Sequence, residues 1–447
     1  MVHKYKCNNI NIVLDVNSGS VHVVDDIVFD MLDYIKYGNN AIENKYSRYE
    51  ISEALEEITK LKQQGMLFSE EPPREALPDI AAREPVIKAL CLHVAHDCNL
   101  KCRYCFAREG TYGGVRSLMS LETGRAAVDF LIKNSGSRRN LEIDFFGGEP
   151  LLNFETVKGI VQYGREAEKR HGKHIRFTLT TNGLLLDDES ERFLNEEMHN
   201  IVLSLDGRRE VHDNMRVARG GQGSYDAALP KLRHLVESRG HENYYVRGTF
   251  TRANLDFCED ALHLADLGFR RISLEPVVDC TGADYAITPE DLDAISAEYE
   301  RLALKMLERK SNGQGFTFFH YVIDLTGGPC VAKRLTGCGA GTEYLAVAPD
   351  GALYPCHQFV GIAGFEMGRL PEGNLDAGIR GRFEKCRPEA KAACRECFAK
   401  FYCCGGCAAA AYNASGDIMK PYEIGCELER KRVECAIMLE AAGEKEA

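Results

Sequence analysis

The chain has 447 residues, 45% of them hydrophobic and 27% charged, which is the balance of a globular protein too long for one small core. Its formal net charge of -12 excludes nucleic acid as the main partner, because phosphate binding needs a concentrated basic surface. The first residues contain no apolar stretch of the secretory kind, and no run approaches the length of a membrane helix, so a cytoplasmic location is expected.

In chain order, residues 1–70 predict a small winged-helix unit. The even positions of Ile10-Asn11-Ile12-Val13-Leu14-Asp15-Val16 are apolar, the period of a half-buried strand, and after the turn Asn17-Ser18-Gly19 a second strand is expected over Ser20–Val24. Asp25 and Asp26 can cap a helix whose Ile27, Val28, Met31, Leu32 and Ile35 share a face. Another helix carries Ile51, Leu55, Ile58 and Leu61, stops near Gly65, and leaves Met66-Leu67-Phe68 as the wing. Residues 71–84, rich in proline, read as a linker.

From residue 85 to 310, β-like runs near 87–95, 141–146, 175–180, 200–205, 244–250 and 271–275 alternate with helical stretches, the pattern of parallel βα units. The first run leads into Cys98, Cys102 and Cys105 at C-x3-C-x2-C spacing. Thiolates are the usual protein ligands of iron-sulfur clusters, and three of them leave one iron of a four-iron cluster open to a small molecule. A zinc site is the weaker alternative, since zinc usually takes two Cys pairs or Cys with His. The second run ends in Gly147-Gly148-Glu149-Pro150, where backbone bare of Cβ atoms lets a ligand approach and Glu149 or a nearby carbonyl can accept from an ammonium. The third and fourth runs end in Thr180-Thr181-Asn182-Gly183 and Ser204-Leu205-Asp206-Gly207, polar strand tips suited to a ligand. His93 and His96 read as hydrogen-bonded strand residues rather than ligands.

Residues 311–447 form a third region. Eleven of the eighteen cysteines lie between Cys330 and Cys435, and in a cytoplasmic chain such a cluster points to metal rather than disulfides. Cys338, Cys356, Cys394, Cys397, Cys403, Cys407 and Cys426 make an ordered series. Cys7, Cys91, Cys258, Cys280, Cys386 and Cys435 read as small hydrophobes. Cys330 and Cys404 stay open between that reading and ligation.

These motifs resemble the radical S-adenosylmethionine (SAM) enzymes. The resemblance implies an α/β fold: a partial (β/α)6 TIM-type barrel with an N-terminal winged-helix domain that recognises the leader of a ribosomally made precursor peptide, and a C-terminal iron-sulfur SPASM domain. It implies three 4Fe-4S clusters and S-adenosyl-L-methionine. Cys98, Cys102 and Cys105 would hold the SAM cluster. Cys338, Cys356 and Cys407 would hold auxiliary cluster I, its fourth position open or closed by Cys330 or Cys404, and Cys394, Cys397, Cys403 and Cys426 would hold auxiliary cluster II. Gly147, Gly148, Glu149, Pro150, Tyr104, Ser204 and Arg216 would contact SAM, with no catalytic residue required beyond cluster and SAM. Arg216 would pair with the SAM carboxylate.

Segments such as Val94-Ala95-His96-Asp97-Cys98-Asn99-Leu100 and Pro421-Tyr422-Glu423-Ile424-Gly425-Cys426 look like the maturases of SCIFF peptides, which join Cys sulfur to a carbon of another residue, often Thr. That resemblance implies a thioether-forming enzyme (a ranthipeptide maturase), a Cys-rich precursor peptide as partner, and a flavodoxin- or ferredoxin-type reductant, with neither nucleic acid nor membrane. Its rivals are another radical modification on the same scaffold, such as carbon-carbon cross-linking, epimerisation or side-chain oxidation, and a non-catalytic binding or electron-transfer protein.

Overall fold

A computed structural model describes residues 1–38, 42–71, 86–325 and 337–443. Most of the expected linker and Cys330 lie outside the described residues.

All six expected strands form, over Ala89–His96, Asn140–Gly147, His174–Thr181, Met198–Ser204, Tyr244–Phe250 and Arg271–Pro276, and each pairs in parallel with the next. Thr317–Phe318 continues one edge and the sheet stays open. Alternation made these strands legible: Leu141, Ile143 and Phe145 are fully buried against the helices, as are Ile175, Phe177 and Leu179 on the next strand. Each such side chain contributes about 1.5–3 kcal/mol. The intervening residues, among them Cys91, His93, Asp144 and Phe146, face the opposite way, on what is here called the inner face.

Local chemistry starts the connecting helices. Ser120 accepts from the Thr123 N–H at 3.1 Å to open Leu121–Asn134, and Asp187 with Ser190 forms a capping box before Asp188–Glu197. At Gly124 an added Cβ would sit 2.3 Å from Ile160 Cδ1, so the first two helices approach as closely as they do only because that residue is glycine.

The region after residue 337 extends the same sheet. Tyr344–Val347 pairs in parallel with Ala89–Leu92 on the side away from the second strand, and Ala352–Tyr354 and Gly368–Arg369 follow as antiparallel strands. Leu345 and Val347 enter the main core. The closing helix Glu423–Gly443 buries Val433, Ala436, Ile437 and Met438 there as well.

At the N-terminus, strands form over Ile10–Asp15 and Val21–Val24 as expected, but a third, Val2–Cys7, precedes them. Its signal was the pair Asn8-Asn9, both at positive φ (49° and 62°), which makes a two-residue hairpin turn. Asp25 caps the helix Asp26–Tyr37, which buries Val28, Met31 and Leu32 and leaves Ile35 exposed. The second long helix, Arg48–Gln63, buries Ala54 and Ile58. Met66-Leu67-Phe68, expected as the wing, is a bend in which Leu67 tucks into the helix cluster. Tyr5, Cys7, Ile12 and Leu14 join the main core, and the His3 ring stacks on Phe398 at 3.5 Å.

Candidate functional site

Cys98, Cys102 and Cys105 lie on the loop leaving the C-terminal end of the first strand. Its backbone is pinned: Lys101 N–H donates to Val217 O at 2.7 Å and Arg103 N–H to Met215 O at 2.9 Å. The Asn182 amide donates to Asn99 Oδ1 at 2.7 Å, tying the loop to the third strand's tip. Burial pushes the Cys98 thiol up to about 12, and Glu149, Cys102 and Cys105 push the same way. Cys102 is also raised to about 12, by burial first, with Arg216 opposing and Cys105 reinforcing. Thiols gathered and desolvated in this way ionise only beside a strong cation, which is what an iron cluster provides.

The two glycines of Gly147-Gly148-Glu149-Pro150 do more than leave room for a ligand. A Cβ on Gly147 would lie 2.3 Å from Ala95 O, and one on Gly148 would lie 2.0 Å from Asp97 O. Their backbone bonds directly to the cysteine loop, through Gly148 N–H to Ala95 O at 2.7 Å and Glu149 N–H to Asp97 O at 2.9 Å. Glu149 is buried and accepts from Thr181 Oγ1 at 2.8 Å, Asn182 N–H at 2.9 Å and Leu151 N–H at 3.2 Å. Its oxygens thus join strand tips, and burial raises its carboxyl to about 7 against these donors. Pro150 opens the short helical turn that follows.

Tyr104 and Arg216 converge on one fully buried carboxylate. Tyr104 donates to Asp206 Oδ2 at 2.7 Å, Arg216 Nε donates to Oδ1 at 3.0 Å, and the Thr249 N–H adds a bond of 3.0 Å. Arg216 therefore already has an anionic partner within the protein, where sequence reasoning expected it to serve a ligand carboxylate. Ser204 ends the fourth strand on the inner face, paired in register with Arg247.

The C-terminal cysteines fall into two groups. Cys356, raised to about 12 by burial, feels Cys407 and Cys338, and Cys407 in turn feels Cys338. Cys403, raised to about 12 by burial, feels Cys426 and Cys394 after Glu429. Cys426, raised by burial first and opposed by Arg430, feels Cys394 and Cys397. Cys394, raised by burial first and opposed by Lys391, feels Cys397 and then Cys386, which lies outside the expected sets. Among the described residues no three Cys, His, Asp or Glu side chains converge on a point for a single ion; a cubane takes one thiolate per iron, so its ligands stand apart. Cys404 adopts a left-handed backbone at φ 59° beside Gly337, the residue before Cys338.

Sequence reasoning missed the residues between the first cysteine loop and Cys356. Tyr112 is half-buried, donates to Gly147 O at 3.1 Å, and has Cys91, Cys105, Cys98 and Cys356 among its titratable neighbours. Phe106, which follows Cys105, and His357, which follows Cys356, have ring centroids 5.7 Å apart. No spacing or period announces these contacts. Asp144, on the inner face, is raised to about 7 by burial and then Glu142, with a Thr178 hydrogen bond opposing.

The open α/β sheet carries three cysteines at the tip of its first strand with a glycine pair packed against them, and residues 92–265 match the family model described as Radical SAM superfamily. That family implies a 4Fe-4S cluster and S-adenosylmethionine. The chain is 27% identical over 383 residues to the serine-type anaerobic sulfatase-maturating enzyme of Klebsiella aerogenes, covering 80% of this chain and 86% of that one. Other curated relatives match over 62%, 55% and 54% of their own length. In fold it is similar to anSMEcpe with bound AdoMet and Cp18Cys peptide, at a TM-score of 0.66 and 20% identity over 81% of this chain and 100% of that one. It is also similar to Streptococcus suis SuiB bound to precursor peptide SuiA, at a TM-score of 0.55 and 15% identity over 93% and 96%. Among the described residues no helix is long and apolar enough to cross a membrane.

Proposed function

We propose that this protein is a radical SAM maturase that forms intramolecular thioether cross-links, from Cys sulfur to a carbon of Thr, in a Cys-rich ribosomally made precursor peptide. The observation that carries this reading is the meeting of two cysteine sets. The loop of Cys98, Cys102 and Cys105 and the turn bearing Cys356 are bridged by the Phe106–His357 ring contact at 5.7 Å. A group bound at one set is thereby brought close to a group bound at the other.

Closing a sulfur-carbon bond removes one hydrogen atom from carbon, one proton from sulfur and one electron. When bound, SAM and the clusters supply the hydrogen-atom and electron acceptors, chemistry beyond acid-base side chains. The protein's own part is positioning. Gly147 and Gly148 seat the cysteine loop, Asp206 holds Tyr104 and Arg216, and Cys338, Cys356 and Cys407 would hold a cluster whose fourth position, unless Cys330 or Cys404 closes it, would be open to a substrate thiolate. Cys394, Cys397, Cys403 and Cys426 would carry the electron outward to a flavodoxin- or ferredoxin-type protein. The strand Val21–Val24, an edge of the N-terminal sheet, supports leader binding by strand addition. The peptide partner of SuiB and the peptide in anSMEcpe favour a peptide substrate here too.

The test uses reconstituted protein, SAM, a reductant and a Cys-rich precursor peptide of the SCIFF type. Loss of two hydrogens per bridge, with 5'-deoxyadenosine formed alongside, is expected. Replacing Cys98, Cys102 and Cys105 together by Ala should abolish both products while iron remains in the C-terminal region. A peptide of unchanged mass with an inverted α-carbon would move the assignment to epimerisation, and 5'-deoxyadenosine from the triple variant at the wild-type rate would overturn the reading altogether.

A further inference from the structure

Lys391 is only 3% exposed, and lysine is almost never buried to that degree without an anion beside it. Its position is fixed at both ends. The backbone carbonyl accepts from the Cys394 N–H at 3.0 Å and the Nζ donates to Gly405 O at 2.7 Å, so the residue spans from the turn bearing Cys394 and Cys397 to the turn that follows Cys403. Gly405 O is a neutral acceptor. Among the described residues no carboxylate pairs with this ammonium. The carboxylates that follow Cys426 on the closing helix are already taken: Glu427 pairs with Arg430, and Glu429 with Arg432 at 2.6 Å. What Lys391 does face is thiol. It is the largest charged influence on Cys394, drawing that thiol down against burial, and Cys394 in turn neighbours Cys397, Cys403 and Cys426. Arg430 acts on Cys397 and Cys426 as well, but its side chain is 32% exposed and its charge is shared with Glu427. Four mutually neighbouring thiols, three of them raised by burial, suit a 4Fe-4S group, and a buried cation with no carboxylate suits its charge.

We propose that Lys391 is the counter-cation of the iron-sulfur cluster held by Cys394, Cys397, Cys403 and Cys426, and that its charge raises the reduction potential of that cluster. The inference rests on the assignment of auxiliary cluster II above and adds what tunes it. Four thiolates outweigh the positive charge of the iron-sulfur core, so the assembly is an anion, and more strongly so once it gains an electron. A buried cation stabilises the reduced form more than the oxidised one, because the attraction grows with the charge and is little screened away from water. The balance needs no new reagent: the electron comes from closure of the sulfur-carbon bond, resides on this cluster, and leaves to the flavodoxin- or ferredoxin-type acceptor. No bond to Lys391 forms or breaks. It is a positioning residue that acts only through the potential of the cluster.

The experiment is a redox titration of the reconstituted full-length holoenzyme followed by electron paramagnetic resonance, with the SAM cluster recognised by the change of its signal on adding SAM. Lys391→Gln keeps a donor for Gly405 O and removes the charge. At wild-type iron content it should make one auxiliary cluster at least about tenfold harder to reduce, a fall of about 59 mV for a one-electron couple, while the other clusters move less. Lys391→Arg should return that potential to the wild-type value. Unshifted potentials in Lys391→Gln, an equal shift of every cluster, or a fall that Lys391→Arg does not reverse overturns the proposal and leaves the cluster assignment standing. Should Lys391→Gln lose iron, Lys391→Arg decides: full iron in the Arg variant supports the requirement for charge, and loss from both variants refutes it. Replacing Cys394 and Cys426 together by Ala tests the reading beneath, since wild-type iron content in that variant overturns the cluster assignment and the proposal together.

Discussion

The protein carries cysteines in two settings that are built differently. Cys98, Cys102 and Cys105 sit on a loop whose neighbours are strand tips of a buried sheet, with Gly148, Glu149, Lys101 and Arg103 bonding backbone to backbone around it. Cys394, Cys397 and Cys403 sit on or beside helices of four residues, Ala392–Arg395 and Lys400–Cys403, followed by Cys404, Gly405 and Gly406 at positive φ. A four-residue helix has almost no hydrogen-bond ladder of its own. The first setting is held by the sheet whether or not metal is bound. The second is held by short-range backbone bonds, by Phe398 and Ala399 in the main core, and by Lys391, whose buried Nζ donates to Gly405 O at 2.7 Å.

The largest effect expected from this difference is on removal of iron. Chelation should raise amide exchange across 392–407 by roughly tenfold or more while the strand Asn140–Gly147 keeps its protection. Equal loosening of both would erase the distinction. Next, Gly148→Ala attacks the sheet-held loop directly, since its Cβ would lie 2.0 Å from Asp97 O, a backbone atom that cannot rotate away. A destabilisation of about 3 kcal/mol, at the upper end for overpacking, is expected in urea unfolding, together with loss of 5'-deoxyadenosine formation.

Glu149 sharpens the comparison through pH. Its carboxyl rises from 4.5 to about 7 on folding because burial disfavours the charge. A raised carboxyl binds its proton more tightly in the folded state, so its stabilising contribution is complete below pH 4.5 and is lost as pH rises through about 7. Glu149→Gln lacks that loss. Relative to wild type the variant should gain about 3 kcal/mol between those limits, read as diverging urea midpoints. Parallel pH profiles would show that Glu149 stays ionised. The smallest effect belongs to the N-terminal sheet. Tyr5 donates to Glu434 O at 3.0 Å, so Tyr5→Phe should cost about 1 kcal/mol in thermal unfolding. Because Tyr5, Cys7, Ile12 and Leu14 lie in the main core, deleting residues 1–70 would expose apolar surface as well as remove the leader-binding edge.

Within the sequence alone, whatever repeats locally was legible. One-sided burial imposes period two, so Leu141, Ile143 and Phe145 announced their strand, and the six strands follow the runs that predicted them. Ligand spacing is equally local, which is why Cys98, Cys102 and Cys105 could be singled out before any coordinates. Partnership is not local. That Gly147 and Gly148 press on the backbone of Ala95 and Asp97, that Arg216 and Tyr104 share Asp206, and that the strand Tyr344–Val347 lies beside Ala89–Leu92 depend on which segments distant in the chain meet. The buried ammonium of Lys391, with no carboxylate paired to it among the described residues, is the extreme case. A missing partner has no sequence signature, because it is defined by every neighbour that the folded chain did not bring within reach.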